Sequence, residues 1–529
     1  MQLSFLRTQF PQTSEALARL SPDDEGAAAL RHLLYLDQHF MRRDHIRRDL
    51  SDAELSSPDL HPPSGSTFDV AVAGGGLSLI YAAVLARAGR SVCVFDRRRI
   101  GCGHREWNIS RAELVPLWES GLFTQDEVER LILMQYRTGI CRFAGGTDHP
   151  VSQVLDCVVD AETLLTQLRE RASAAGAVLL DYHELAGYRA DSDGVTVVLQ
   201  PTSESAQASK RSVLQAMAQK PRVLRARLLI DGLGAASPHA QFDLCCPTVG
   251  GVMDGLTLGS SPLTMDPQVG EILVTTEGIE DGKQHIWEGF PAPPAPEHQH
   301  SATTRMTIYL FYYARTESLA RLSPLPLLSL YERFFQTLQR YKSGPLALVR
   351  PTYGYIPAYT RLGNMPASPA QRVLLVGDAA GRHSPLTFCG FGSMIRSFWP
   401  IAVGVLRCLR EDRLQRSDLA ALWTEPPALQ VMGGLTLMMS PSETGESAAL
   451  SDPDGLNRLL DSAFGTLAAM GDATYGRFLR DDVDAATFVR FMLGAARKHP
   501  QVYEKVFQQL SPSEVGRWLW RLFRLWMQS

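Results

Sequence analysis

The chain has no uninterrupted apolar run of eighteen residues, so nothing in it reads as a membrane-spanning helix. Its first twenty residues carry no basic head followed by a continuous apolar stretch, which argues against a secretory signal. Eight cysteines among 529 residues fall at no paired metal-ligand spacing, and Cys93 and Cys408 lie in apolar runs as small hydrophobes. This usage fits a reducing cytoplasm. A formal charge of -4 leaves no basic excess, so no nucleic-acid partner is expected. What is present, a composition 45% hydrophobic, supplies a large core split into two or three packed parts.

The most informative stretch begins at Phe68. An apolar run to Val72 leads into Ala73-Gly74-Gly75-Gly76-Leu77-Ser78, and Ile80, Tyr81, Ala83, Val84 and Leu85 then recur at helical spacing. Gly89 is a helix stop, and Val92, Val94 and Phe95 lead to Asp96. A strand, a glycine turn and a helix start bring backbone N–H groups to a pyrophosphate, with Gly74 and Gly76 as the required glycines. Asp96 can accept both ribose hydroxyls, which favours an unphosphorylated adenosine ribose. Leu79 departs from this pattern, standing where a Gly or Ala is expected.

Far downstream, Arg372 to Ala380 reads as a buried strand running into Gly377 and Asp378. Such an aspartate can hold the ribityl or ribose part of an extended flavin nucleotide. Pro385, Gly390 and Gly392 add a bend and small residues where backbone can approach an isoalloxazine ring. Between these blocks, Leu228 to Ser237 is another strand into a small-residue turn carrying Asp231, and Val159-Asp160 opens a helix with Leu164, Leu165 and Leu168. A plain NAD dehydrogenase has no need of the downstream element, so FAD is the expected cofactor.

Residues 24 to 50 read as a helix with Leu30, Leu33, Leu34, Leu36, Phe40 and Ile46 among Arg42, Arg43, Arg47 and Arg48, followed by a proline- and serine-rich linker. This helix either covers the main domain or lies on an anionic lipid surface. Glu271 to Ile279, Gln284 to Phe290 and Thr303 to Tyr313 have strand-like content, with a Pro- and His-rich turn between the last two. His298 and His300 in that turn are read as solvent-exposed, and no metal site is expected. At the far end, Trp518 to Trp526 places Arg517, Arg521 and Arg524 on one helical face with Trp518, Leu519, Leu522, Phe523, Leu525 and Trp526 around the remainder. That pattern suits either a helix in a headgroup layer or one docked on protein.

The expected architecture is α/β. Residues 1–66 form a helical extension and linker, 67–240 the first part of a Rossmann-like FAD-binding domain, and 241–360 an inserted, mainly β substrate domain. Residues 361–410 return to the FAD-binding domain, and 411–529 form a helical C-terminal region that packs over the site or makes a homodimer contact.

The three nucleotide motifs, in this order over residues 68 to 410, resemble the para-hydroxybenzoate hydroxylase-like FAD proteins. That group holds aromatic monooxygenases, flavin halogenases, geranylgeranyl reductases and lycopene cyclases. Longer blocks narrow the likeness: Phe95 to Gly101, His104 to Arg111, Trp287 to Pro291, Arg350 to Pro357 and Gly381 to Gly392. They resemble the lycopene cyclases of the cyanobacterial and green-sulfur-bacterial type, from about residue 68 to 500.

The resemblance implies conversion of acyclic carotenoid ends to ionone rings without net redox change. It also implies reduced FAD as the active form, with NAD(P)H as a candidate indirect electron source. An apolar polyene or isoprenoid would be the substrate, and the protein would be cytoplasmic and peripheral to the inner face of a membrane. Such chemistry needs an acid for a terminal alkene, a base for a ring proton, and exclusion of water.

Among Glu271, Glu277, Glu280, Asp281 and Glu288, Glu277 is the first candidate acid because burial at a strand end would raise its pKa, and Glu288 is the second. His383 is a polar group for the flavin edge or for proton departure. Tyr353, Tyr355 and Trp287 are candidate walls of an apolar tunnel. Arg97, Trp107, Asn108 and Arg111 follow the second strand, where related flavoproteins contact FAD. Monooxygenase, halogenase and polyprenyl reductase activities, or a non-catalytic carotenoid-binding role, are the alternatives. Absence of a Trp-x-Trp-x-Ile-Pro motif lowers the halogenase branch.

Overall fold

The computed structural model describes residues 2–20, 25–40, 65–103, 107–202, 221–240, 242–295, 303–358, 368–381, 390–423, 452–500 and 512–528, with a few positions between 432 and 441. Two large sheets organise it. The first has seven strands. Its parallel core runs in the order Val178–Leu180, Val92–Phe95, Thr67–Ala73, Arg222–Asp231 and Val373–Leu375. Strand order therefore reverses beside Thr67–Ala73, and an open α/β sheet binds ligands in the crevice beyond the carboxyl ends of its strands at such a point. The glycine turn after Ala73, the turn after Asp231 and the turn after Leu375 all emerge there.

This core forms because its strands are nearly continuous apolar runs, as strands covered on both faces must be. Ala71, Val72, Cys93, Val94, Leu229, Ile230 and Leu374 are all buried. Helix Leu79–Arg87 packs on one face with helices Ala161–Ala174 and Gly390–Glu411. Leu79 is fully buried in that layer. The small-residue approach expected at Leu79 is met elsewhere: a Cβ added to Gly232 would fall 2.5 Å from the Cβ of Ser78.

The second sheet has eight strands, and Leu244–Asp254, Met306–Phe311 and Ile286–Pro291 are neighbours within it. Val269–Val274 follows, then Thr138–Arg142 and Asp148–Ser152. The last two strands lie upstream of residue 241, so a piece of the 67–240 segment completes the eight-stranded sheet. Alternation divides the two faces. Trp287, Ile308 and Leu310 pack toward helix Pro326–Tyr341, while Ile286, Phe311 and Tyr313 pack toward the helices Gly455–Ala469, Asp472–Leu479 and Ala485–Lys498.

The N-terminal helix Glu25–Phe40 lies on the outer helix layer. Leu30, Leu33 and Leu34 are buried there with Leu327, Leu328 and Tyr331. Each such leucine contributes roughly 1.5–3 kcal/mol over an exposed position. Polar groups fix the docking: Asp37 accepts from the N–H of Leu327 at 3.0 Å and of Leu328 at 3.3 Å, capping the long helix. Glu332 reciprocates, accepting from Thr13 N at 2.9 Å and Thr13 Oγ1 at 2.9 Å. Of the two uses expected for this segment, covering the main domain describes residues 25–40; Arg42, Arg43, Ile46, Arg47, Arg48 and most of the linker lie outside the described residues.

Candidate active site

Three turns build one side of the site. Gly74 has φ +106°, and a Cβ there would lie 2.5 Å from the carbonyl oxygen of Gly232, so only glycine lets these turns meet. Ser78 Oγ closes the same turn by donating to Gly74 O at 2.6 Å. Gly76 is different: a Cβ there would meet nothing within 4 Å. Its glycine opens space at the start of helix Leu79–Arg87, as a passing pyrophosphate requires. Asp96 accepts from Gly75 N at 2.7 Å and from Arg98 N at 2.7 Å, which holds its carboxylate beside the glycine turn. This combination of open backbone, helix start and fixed carboxylate fits a dinucleotide.

A cavity of about 310 Å³ lies where these turns face the eight-stranded sheet. Leu77, Ser78, Gly232, Gly234, Gly377 and Asp378 line it from the nucleotide side. Gly390 and Phe391, at the start of helix Gly390–Glu411, line it as well. Opposite them stand Glu288 and Phe290 from one strand, Tyr309 and Phe311 from the next, and Cys246 and Thr248 from a third. These are i, i+2 pairs, the positions that alternation sends to one face. Trp107 and Asn108 close the rim, with the Trp107 and Phe391 ring centroids 4.7 Å apart. Asn108 Nδ2 donates to Glu288 Oε1 at 2.9 Å.

Glu277 is placed differently. It sits in the turn after Val269–Val274 and does not line the cavity. Burial alone would raise its pKa, but the hydrogen bond from His285 and the guanidinium of Arg333 outweigh that and hold it down at about 2. Arg333 approaches both Glu277 oxygens at 2.8 Å, and His285 Nδ1 lies 3.2 Å from Oε1. The expected rise is thus corrected to a fall, because the His285 hydrogen bond and the Arg333 guanidinium outweigh burial. A group ionised down to about pH 2 is a poor proton donor at neutral pH.

Glu271 is buried on the other face, bonded to Lys342 Nζ at 2.9 Å and to the Tyr341 hydroxyl. Glu280 pairs with Arg333, and Asp281 occupies the adjacent turn.

Other expected contacts also separate. Asp231 is buried, and its carboxylate serves its own turn, accepting from Ser237 Oγ at 2.6 Å and Leu233 N at 3.1 Å. Burial pushes its pKa up to about 6, with those two donors acting in the opposite direction. Asp231 itself does not line the cavity; it ties the turn that carries Gly232 and Gly234, which do. The Arg111 guanidinium bonds to Glu129 and to Gln135 Oε1 at 3.2 Å and does not line the cavity. Arg97 donates to the Tyr35 hydroxyl of the N-terminal helix.

Gly392 makes room for Glu113, whose Oε1 would lie 2.7 Å from an added Cβ, and Glu113 pairs with Arg396. Of the three aromatic wall candidates, Tyr355 lines the cavity. Trp287 stacks on Tyr341 at 4.6 Å, and Tyr353 packs near His32 and Tyr331, all on the helix-covered side. His383, Pro385, His298 and His300 lie outside the described residues. Tyr309, Phe311 and Thr248 were not singled out in the sequence, although alternation in Met306–Phe311 carries the signal for the first two.

No protein-family model matches the sequence, and no curated protein matches it. Solved structures match in fold. The halogenase PltM is 16% identical over 84% of this chain and 97% of its own, with a TM-score of 0.53. A geranylgeranyl bacteriochlorophyll reductase-like protein (Ta0516) from Thermoplasma acidophilum is 14% identical over 84% of this chain and all 100% of its own, at 0.51. The flavin-dependent brominase Bmp2 is 11% identical over 83% and 99%, at 0.51. PltM has also been crystallised with phloroglucinol and FAD. The chain has the Rossmann-type architecture of these flavoenzymes, together with a helical C-terminal region.

Proposed function

We propose that this chain is an FAD-dependent enzyme of the lycopene cyclase type, forming ionone-type rings on an apolar polyene without net redox change. The observation that carries this reading is Glu288, a carboxyl group set in a sheet wall with Phe290, Tyr309 and Phe311 and facing the glycine turns across the cavity. The turn Gly74 to Leu77, with Asp96, Gly377, Asp378 and Gly390, would hold FAD. When bound and reduced, FAD supplies an electron-rich face that favours nearby positive charge.

The chain's own residues then divide the work. Asn108 Nδ2 donates to Glu288 Oε1 at 2.9 Å, which orients the carboxyl group that would carry the acidic proton. Transfer of that proton to the less substituted carbon of the end-group double bond forms a C–H bond and leaves a tertiary cation at its other carbon. Attack by an internal double bond closes the ring, and loss of a ring proton to the Glu288 carboxylate restores both neutrality and the acid. Substrate and product therefore have the same mass. Phe290, Tyr309, Phe311 and Trp107 exclude the water that would trap the cation, and their ring faces favour positive charge.

Saturation of a prenyl chain is the second reading, supported by the shared fold with the geranylgeranyl reductase-like protein. The deciding experiment is anaerobic incubation of the purified protein with FAD, a chemical reductant and liposome-embedded lycopene, followed by chromatography with mass detection. A product of unchanged mass with a shortened chromophore is expected. A product heavier by hydrogen would transfer the assignment to a reductase, and one made only in air and heavier by oxygen or halogen would transfer it to a monooxygenase or halogenase.

A further inference from the structure

The C-terminal helix Pro512–Gln528 has two apolar faces, and the described residues cover only one. Val515 and Trp518 are buried against helix Ala485–Lys498, with Trp518 and Phe488 ring centroids 5.9 Å apart, and Leu522 packs beside them. Turning away from that seam, Leu519, Trp520, Phe523, Trp526 and Met527 are each more than half exposed. At 100° per residue these five occupy one continuous arc. Arg517, Arg521 and Arg524 follow on the next arc, and the Arg524 guanidinium lies 5.0 Å from the Trp520 ring.

Charge says what covers the exposed arc. From residue 485 onward the sequence holds five arginines and two lysines against two glutamates, on a chain whose formal charge is -4. Arg490, Arg497 and Lys498 of the supporting helix are exposed, and the same helix exposes Leu493. A second copy of this chain would have to bring the same basic surface against itself. An anionic bilayer pairs with both features, since tryptophan and phenylalanine enter the headgroup boundary while arginine meets phosphate.

We propose that the outer face of helix Pro512–Gln528 docks the protein on an anionic lipid surface, with Leu519, Trp520, Phe523 and Trp526 inserted in the headgroup layer. The docking is peripheral, because no helix among the described residues is long and apolar enough to cross a membrane. It stands independently of the reaction assigned to the cavity.

The test is flotation of the full chain with vesicles of phosphatidylcholine mixed with phosphatidylglycerol, compared with phosphatidylcholine alone. Binding to the mixed vesicles, weakened by added salt, is expected. Replacing Trp520, Phe523 and Trp526 together by serine should lower affinity by about tenfold or more, since each exposed ring loses its burial in lipid. These side chains touch solvent, so the variant should melt like the parent. Should it misfold, the parent itself still decides, by quenching of its tryptophan fluorescence by brominated lipid. No flotation and no quenching would overturn the proposal. So would a concentration-dependent dimer that the same substitutions abolish, because a second copy would then cover the face.

Discussion

Glu277 and Glu288 belong to neighbouring parts of one sheet, and the protein gives them opposite surroundings. Glu277 ends between the Arg333 guanidinium and the His285 ring, outside the cavity. Glu288 ends in the cavity among aromatic rings, with an amide on one of its oxygens. The difference teaches that a carboxylate in or beside a strand is made an ion-pair partner or a cavity-lining group by what arrives from distant sequence. Residue type alone assigns neither role. Gly74 and Gly76 form a matching pair on the nucleotide side: one is required by protein against it, the other by the space in front of it.

The largest separation is expected in turnover. Glu288→Gln keeps the shape and the Asn108 contact but removes the proton of the proposed acid, so the proposed cyclisation should fall by about 10²–10⁴-fold with FAD still bound. Glu277→Gln should leave turnover nearly unchanged. Parallel assays of the two variants break the comparison if Glu277→Gln is the inactive one. The glycine pair comes next. Gly76→Val should fold normally but bind FAD about 10–100-fold more weakly, as read by flavin fluorescence titration. Gly74→Ala should instead destabilise the fold by about 1–3 kcal/mol, because its φ of +106° and the Gly232 carbonyl 2.5 Å away leave no room for a methyl group.

The Rossmann half was legible because its signals are local. Gly74, Gly76, Asp96, Gly377 and Asp378 each sit at the end of an apolar run, and parallel pairing brings those ends together without information from elsewhere. The sheet was legible as strands but not as faces. Deciding that Glu288 looks into the cavity and Trp287 away from it needs the register with Met306–Phe311 and the position of helix Pro326–Tyr341, both set by long-range packing. The fate of Glu277 depended on Arg333, a residue that helical periodicity places on a face without naming its partner. Asp231 shows a related ambiguity: a short polar side chain after a strand can bind a ligand or tie its own turn, and its carboxylate accepts from Ser237.

A third separation is in the pH dependence of stability. The pKa of Glu277 is depressed from its ordinary 4.5 to about 2. Its pairing therefore contributes fully above pH 4.5 and is lost as pH falls toward 2, amounting to about 2 kcal/mol. Wild type and Glu277→Gln should differ most near neutral pH and converge in acid, in melting curves taken across that window.

Asp37 sharpens the contrast with the smallest effect, because its shift has the other sign. Burial raises its pKa from 3.8 to about 6, against the hydrogen bonds from Tyr355, Leu327 and Leu328 that favour the carboxylate. The folded state thus holds a proton that the unfolded chain has released between those values, so stability from this site is full below pH 3.8 and lost as pH rises through 6. Asp37→Asn removes the titration and keeps an acceptor for the capped helix. At pH 8 the variant should lie within about 1 kcal/mol of wild type, the relieved burial of a charge offsetting the weaker cap. As pH falls below 6 the wild type should gain and the variant should not. A slope in that direction, opposite to the one Glu277 imposes at lower pH, would tie each carboxylate to its own surroundings within one molecule. A variant that tracks the wild type at every pH would mean that Asp37 is already ionised where it caps the helix.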